Sequence, residues 1–121
     1  TGIFGYKGHV HYHAAPCLDD YLDSLDPDMP KQYIYTQVAA YMDAQLFKNY
    51  RLYPGNYVAL DLLENSTAHQ AEYTAEDKAK FEKYMAGQLA KIDLPNKDEA
   101  YVRERILEMY ANPVRNYLAA Q

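Results

Sequence analysis

Apolar positions along the chain run first with a period of two and then with the period of a helix. From Gly5 to Ala15 they alternate. Val10 and Tyr12 fall on one side and His9, His11 and His13 on the other, the pattern of a strand. Gly2, Gly5 and Gly8 loosen the start of this segment, and Pro16 ends it. No second strand pattern follows, and a lone strand cannot satisfy its own backbone groups. The strand, over Lys7–Ala14, is therefore expected to pair with a sheet supplied by preceding sequence, or with a second copy of itself in a homodimer.

Helical periodicity begins at Leu18. Leu18, Tyr21, Leu22 and Leu25 fall on one side of a short helix, opposite Asp19, Asp20 and Asp23. The turn Asp26-Pro27-Asp28-Met29-Pro30 stops it. A long helix is predicted from Lys31 to Tyr50, with Ile34, Val38, Met42 and Leu46 recurring every fourth residue beside Tyr35, Tyr41 and Phe47. Pro54-Gly55 interrupts the chain, and Asn56 is a candidate cap for a helix over Tyr57–Leu63. Asn65-Ser66-Thr67 reads as a loop. Thr74, followed by Glu76 and Asp77, marks the next helix start, and Phe81, Tyr84, Met85, Leu89 and Ile92 form its apolar face. After Pro95, either Asn96 or Asp98 opens a last helix with the stripe Val102, Ile106, Met109 and Tyr110; Asn112-Pro113 is expected to break or kink it. The short Asp93–Asn96 connection predicts an antiparallel pair. The expected fold is mainly α, one N-terminal β-strand followed by four or five helices packed as a small bundle. Residues 1–16 form the strand segment, and 17–121 a helical domain.

Composition narrows the function more by exclusion than by assignment. A chain of 121 residues, 49% apolar, is long enough to bury a core. Its aromatic residues are 14 Tyr and 3 Phe with no Trp, a choice that suits half-buried helix faces and interfaces because each hydroxyl needs a partner. A net charge of −5 argues against non-specific nucleic-acid binding and against a polybasic membrane anchor. No apolar run approaches the roughly 20 residues of a spanning helix. The single Cys17 excludes an internal disulfide and fits a reducing cytoplasm. The chain opens on Thr1 rather than Met, which predicts a cut or processed chain with further sequence upstream.

Candidate chemistry is sparse. His9, His11 and His13 share one face of the expected strand. Neighbours two apart lie roughly 6.5–7 Å apart along a strand, so two could chelate one ion while the end pair is too far apart for all three. The preferred reading is a row of solvent-facing histidines on an edge strand, and no metal is assigned. Cys17 near His13 and Asp19 fits a thiol with its base, but also a buried structural cysteine, the reading preferred here. Asp19, Asp20, Asp23, Asp26 and Asp28 lack the glycine and terminal glutamate of a calcium loop. Glu76, Asp77 and Glu82 with Lys78, Lys80 and Lys83 make ordinary pairs on a wet helix face. No G-x-S-x-G, phosphate-binding glycine loop, H-E-x-x-H or C-x-x-C occurs. No catalytic, cofactor-binding or metal residue is assigned, and no cofactor is expected.

The stretch Asn49-Tyr50-Arg51-Leu52-Tyr53-Pro54-Gly55-Asn56-Tyr57 differs in kind, with three tyrosines, an arginine and two asparagines around a Pro-Gly break. On composition it is a helix–helix corner that packs locally. The longer string from Met42 to Ala59 resembles a segment of bacterial glycerol/phospholipid acyltransferases of the 1-acyl-glycerol-3-phosphate acyltransferase type, whose helix reads approximately I-D-x-x-I-x-x-N-Y-x-L-x-P-x-N-Y-x-A. The opening Gly8-His9-Val10-His11-Tyr12-His13 is similar to the G-x-V-x-V-x-F-G strand late in such catalytic domains, and the order of strand and helix agrees. The resemblance covers residues 6–63; the helices beyond Ala71 match nothing in it.

That family uses an H-x-x-x-x-D motif, in which the histidine deprotonates the acceptor hydroxyl, and an E-G-T-R-S-like motif that helps hold the phosphate. Neither occurs here, and His13 and Asp19 are separated by five residues rather than four. The resemblance therefore implies the non-catalytic C-terminal part of an acyltransferase of lipid metabolism and phospholipid biosynthesis. Its first strand would complete an upstream catalytic sheet. The parent protein would transfer an acyl group from a thioester donor to a lysophospholipid or glycerol-type acceptor. It would be cytoplasmic, peripheral at the inner membrane surface, and partnered by its own catalytic domain. The alternative is a non-enzymatic helical protein–protein interaction domain.

Overall fold

The structure, a computed structural model, describes residues 3–6 and 8–121. They form five α-helices and one 3₁₀ turn: α1 (Asp19–Ser24), α2 (Lys31–Lys48), α3 (Pro54–Glu64), the turn Gln70–Glu72, α4 (Ala75–Ala90) and α5 (Glu99–Ala119). Among the described residues there is no β-strand, which corrects the expected N-terminal strand; Thr1, Gly2 and Lys7 of that segment lie outside the described residues. The physical reason is local. Gly8 takes a left-handed φ of +68°, and Val10 and Tyr12 are 62% and 91% exposed, so the alternating pattern has no surface to bury against.

The chain divides into two compact units, Thr1–Arg51 and Leu52–Gln121. In the first, the Asp26 side chain accepts from the Asp28 backbone N–H at 2.9 Å, closing the expected turn after α1. Tyr21 of α1 stacks on Tyr41 of α2 with ring centroids 4.0 Å apart, and its hydroxyl donates to the Gln37 carbonyl. Neither helix has a buried residue. The half-buried positions of α2 include Ile34, Val38, Tyr41 and Gln45, whereas Met42 and Leu46 are 46% and 56% exposed. The expected stripe drifts because each step of four residues overshoots a helical turn by about 40°.

The second unit holds the core. Val58, Ala59 and Leu60 of α3, Phe81 and Met85 of α4, and Leu107, Ala111 and Val114 of α5 are all buried. α3 packs chiefly against α5 and secondarily against α4. Gly55 sits where a Cβ would come within 3.3 Å of the Phe81 ring, so the glycine lets that ring approach the first turn of α3. Pro54 stands in that same turn, where its missing N–H has no helical partner to lose. At the other end, Asn65 adopts a left-handed φ of 49° and terminates α3.

α4 starts as expected. Thr74 Oγ1 accepts from the Asp77 N–H at 3.1 Å while Asp77 Oδ2 accepts from the Thr74 N–H at 2.9 Å, a reciprocal cap. Lys97 lies against its C-terminus, where Nζ donates to Leu89 O at 2.9 Å and to Ile92 O, just past the helix, at 3.0 Å, a cation placed at the negative end of the helix. Of the two candidate caps for α5, Asp98 is the one used, accepting from the Tyr101 N–H at 3.0 Å. α5 runs on through Pro113 to Ala119, so of the expected break or kink the break does not occur. Ala111 and Val114, both fully buried, hold the helix on either side of the proline, and packing outweighs the one lost hydrogen bond. The buried stripe is Leu107, Ala111 and Val114. The predicted one was rotated from it: Met109 is 60% exposed, and Val102, Ile106 and Tyr110 are half-buried.

Gly87 lies inside α4 with nothing within 4 Å of a built Cβ. Gly87→Ala should raise stability by about 0.5–1 kcal/mol, since alanine loses less backbone entropy in a helix and meets no clash here. The urea midpoint of the variant reads this directly, and a lowered midpoint would contradict the exposed helical placement of Gly87.

Candidate functional site

The Asn49–Tyr57 stretch ends one helix and begins the next, and both of its asparagine side chains bond to backbone. Asn49 caps the C-terminus of α2, its N–H on Leu46 O at 3.2 Å and its Nδ2 on Gln45 O at 2.8 Å. Asn56 does not precede its helix as the candidate cap; it is the third residue of α3, which begins at Pro54. Its Oδ1 accepts from the Tyr53 N–H at 2.9 Å, reaching back to a donor that the helix leaves open. Its Nδ2 donates to the Tyr110 carbonyl of α5, also at 2.9 Å. One amide thus starts α3 and ties it to α5.

Tyr110 is itself the centre of an aromatic seam. Phe81 meets its ring edge-on at 5.5 Å, Tyr84 does so at 6.0 Å, and the Tyr84 and Tyr110 hydroxyls are 2.8 Å apart. Burial, with the Tyr84 hydrogen bond second, pushes the Tyr110 phenol up to about 12. Tyr110 is held neutral, as a packing and hydrogen-bonding group.

The densest polar cluster was not anticipated from the sequence. Asp61, the one charged residue buried among those described, is 3% exposed. Its carboxylate accepts from Ser66 Oγ at 3.1 Å, from the His69 N–H at 3.2 Å, from His69 Nδ1 at 2.9 Å and from the Tyr73 hydroxyl at 2.8 Å. These donors all come from the ten residues after α3, so the carboxylate gathers that connection onto the end of the helix. Burial alone would raise its pKa, but the hydrogen bonds from His69, Tyr73 and Ser66 outweigh it and hold the carboxyl below its ordinary range. Burial and then the Asp61 contact push the Tyr73 phenol up. The Tyr57 phenol is also raised, first by burial and then by Glu72 and Tyr117; its ring lies 5.8 Å from that of His69.

A carboxylate only accepts, so His69 Nδ1 carries a proton, and Asp61 fixes the orientation of the imidazole. Such a pair serves acid–base sites when a nucleophile faces the second ring nitrogen. Here the Ser66 hydroxyl donates to Asp61 instead. The cluster closes a loop. A signal for it existed in the sequence: Asp61 is the lone acid in the apolar run from Val58 to Leu63, on the same helical face as Val58.

The other candidates stay apart. His9, His11 and His13 are exposed in a segment without regular secondary structure, so the shared strand face does not exist. Among the described residues no group of three or more His, Cys, Asp or Glu side chains converges as metal ligands. Cys17 is exposed, which corrects the buried reading. Of the acidic and basic residues at the start of α4, Glu76 and Lys80 form an exposed pair at 2.7 Å. No helix among those described is long and apolar enough to cross a membrane. Comparisons with protein-family models, with curated proteins and with solved structures find no match.

The Asp61 cluster yields a stability prediction. Asp61→Asn turns one acceptor into a donor facing donors, and should cost about 1–3 kcal/mol at pH 7. Because the folded-state carboxyl is lowered, its contribution is present above the unfolded value and is lost as pH falls through the folded one. Urea midpoints of wild type and variant should therefore differ at pH 7 and draw together as the pH falls below the ordinary carboxylate range. A difference independent of pH would contradict an ionised Asp61 in the folded protein.

Proposed function

We propose that this chain is a non-catalytic C-terminal part of a lipid acyltransferase, whose catalytic domain moves an acyl group from a thioester donor to a lysophospholipid or glycerol-type acceptor at the inner membrane surface. One observation carries the reading. The asparagines of the acyltransferase-like stretch are engaged in building the chain: Asn49 closes α2, and Asn56 starts α3 and binds α5. Asparagines used in this way support a scaffold role for the stretch, with the chemistry assigned to another domain.

α2 supports the same reading. Its apolar residues point in all directions, with Tyr33, Tyr35, Met42 and Leu46 exposed and none buried. Exposed apolar side chains on several faces fit a helix covered by another surface, and the catalytic domain is the surface proposed to cover it. The same exposed residues favour a second reading, a non-enzymatic helical interaction domain whose partner is another protein. The sequence upstream of Thr1 discriminates the two. An H-x-x-x-x-D motif there favours the acyltransferase, and an unrelated domain would sink it.

In a longer protein carrying that motif, mutation of its histidine or aspartate should abolish acyl transfer, while the present chain alone has no activity. Asn56→Ala in the longer protein should lower stability by about 1–2 kcal/mol yet leave kcat per folded molecule within twofold. Thermal unfolding and steady-state kinetics on the folded fraction separate these effects. A large loss of kcat in fully folded enzyme would give Asn56 a part in the chemistry and contradict the scaffold role.

A further inference from the structure

α2 carries two stripes of the same spacing. Ile34, Val38, Tyr41 and Gln45 follow one another at steps of four, three and four residues, and all are half-buried. Tyr21 of α1 stacks on Tyr41 in this first stripe. One residue further on, Tyr35, Ala39, Met42 and Leu46 repeat the same steps. At about 100° per residue, the second stripe lies about 100° around the helix from the first and covers an arc of about 60°. Its members are all exposed, Tyr35 at 68%, Met42 at 46% and Leu46 at 56%. Alternating steps of four and three residues are the spacing by which one helix seats its side chains between those of another. No charged residue lies in the stripe, so covering it buries no ion.

The order of side-chain sizes along the stripe identifies the covering helix. The stripe fits itself when read in the opposite direction. With a two-fold axis between Ala39 and Met42, Tyr35 faces Leu46 of the copy, and Ala39 faces the copy's Met42. Ala39 leaves the space that the facing methionine fills, and each contact occurs twice. A parallel pair would set Ala39 on Ala39 and Met42 on Met42, a gap at one level and crowding at the next, with the two helix dipoles aligned.

We propose that the chain forms a two-fold dimer in which α2 packs antiparallel on the α2 of a second copy along Tyr35, Ala39, Met42 and Leu46. Two α1–α2 pairs then make an assembly of four helices. Neither α1 nor α2 has a buried residue in the single chain, so association supplies the burial that these helices lack. The Tyr35 ring covers Leu46 of the copy while its hydroxyl stays at the wet rim. The inference does not rest on the acyltransferase reading. Tyr33 is exposed on the opposite side of α2, about 160° from Tyr35, and that side is left to a catalytic domain in the longer protein.

The test is sedimentation equilibrium of the full chain from low micromolar to several hundred micromolar concentration. The expected result is a reversible monomer–dimer equilibrium. Met42→Glu should weaken it at least tenfold with helical circular dichroism retained, since the position is exposed in the single chain. The direction of packing is read by disulfide formation in a Cys17→Ser background. Mixed Ala39→Cys and Met42→Cys chains should cross-link to each other faster than either does to itself, a readout that holds even where Met42→Glu lowers helicity. A wild type that stays monomeric throughout would overturn the dimer and leave the stripe to another partner. Dimerisation of Met42→Glu as tight as wild type would remove α2 from the contact. Faster cross-linking of Ala39→Cys to itself than to Met42→Cys would overturn the antiparallel pairing.

Discussion

The side-chain amide of Asn56 connects the local start of one helix with the long-range packing of another. Its oxygen holds the Tyr53 N–H at the entry to α3, and its nitrogen holds the Tyr110 carbonyl 54 residues further along. The first bond sets where α3 begins, and the second sets where its first turn lies against α5. Val58, Ala59, Leu107, Ala111 and Val114 can then be buried in the same core. Gly55, one residue earlier, removes the side chain that would hold Phe81 away. This one turn therefore joins the local start of α3 to the packing of the second unit.

Asp61 performs the complementary task at the far end of α3. A buried carboxylate is costly unless its lone pairs are filled, and here four donors fill them from a connection with little apolar content of its own. The loop from Asn65 to Tyr73 is thereby held by these polar bonds together with the packing of Tyr73 on the core. Lys97 does similar work after α4, where a single ammonium donates to two carbonyls. Each helix of this unit has at least one end fixed by a side chain, Asn56 for α3, Thr74 and Lys97 for α4 and Asp98 for α5.

The first unit is built on a different principle. Its stacked Tyr21–Tyr41 pair and the Asp26 turn hold α1 and α2 together, yet no side chain in either helix is buried. Ordering a residue costs about 1–2 kcal/mol in backbone entropy, and such a pair of helices has little hydrophobic burial to offset it. The apolar residues spread around α2 are the physical basis for expecting a covering surface.

The sequence by itself determined where the helices lie. Thr74 with Asp77, the Asp26-Pro27-Asp28 turn, Pro54-Gly55 and Asp98 act through bonds spanning at most four residues, so their meaning can be read in order along the chain. Phe81 and Met85 were legible as core for the same reason, since they lie on one helical face. What only the tertiary structure decided involves partners distant in the chain. Whether Lys7–Ala14 becomes a strand depends on a second strand, and none is present among the described residues. Whether Pro113 ends α5 depends on the packing of Ala111 and Val114, and whether Cys17 is buried depends on a core that its unit does not have. The Asn49–Tyr57 stretch was recognisable as a corner, but its link to Tyr110 was not, because a hydrogen bond across 54 residues leaves no period or spacing to read.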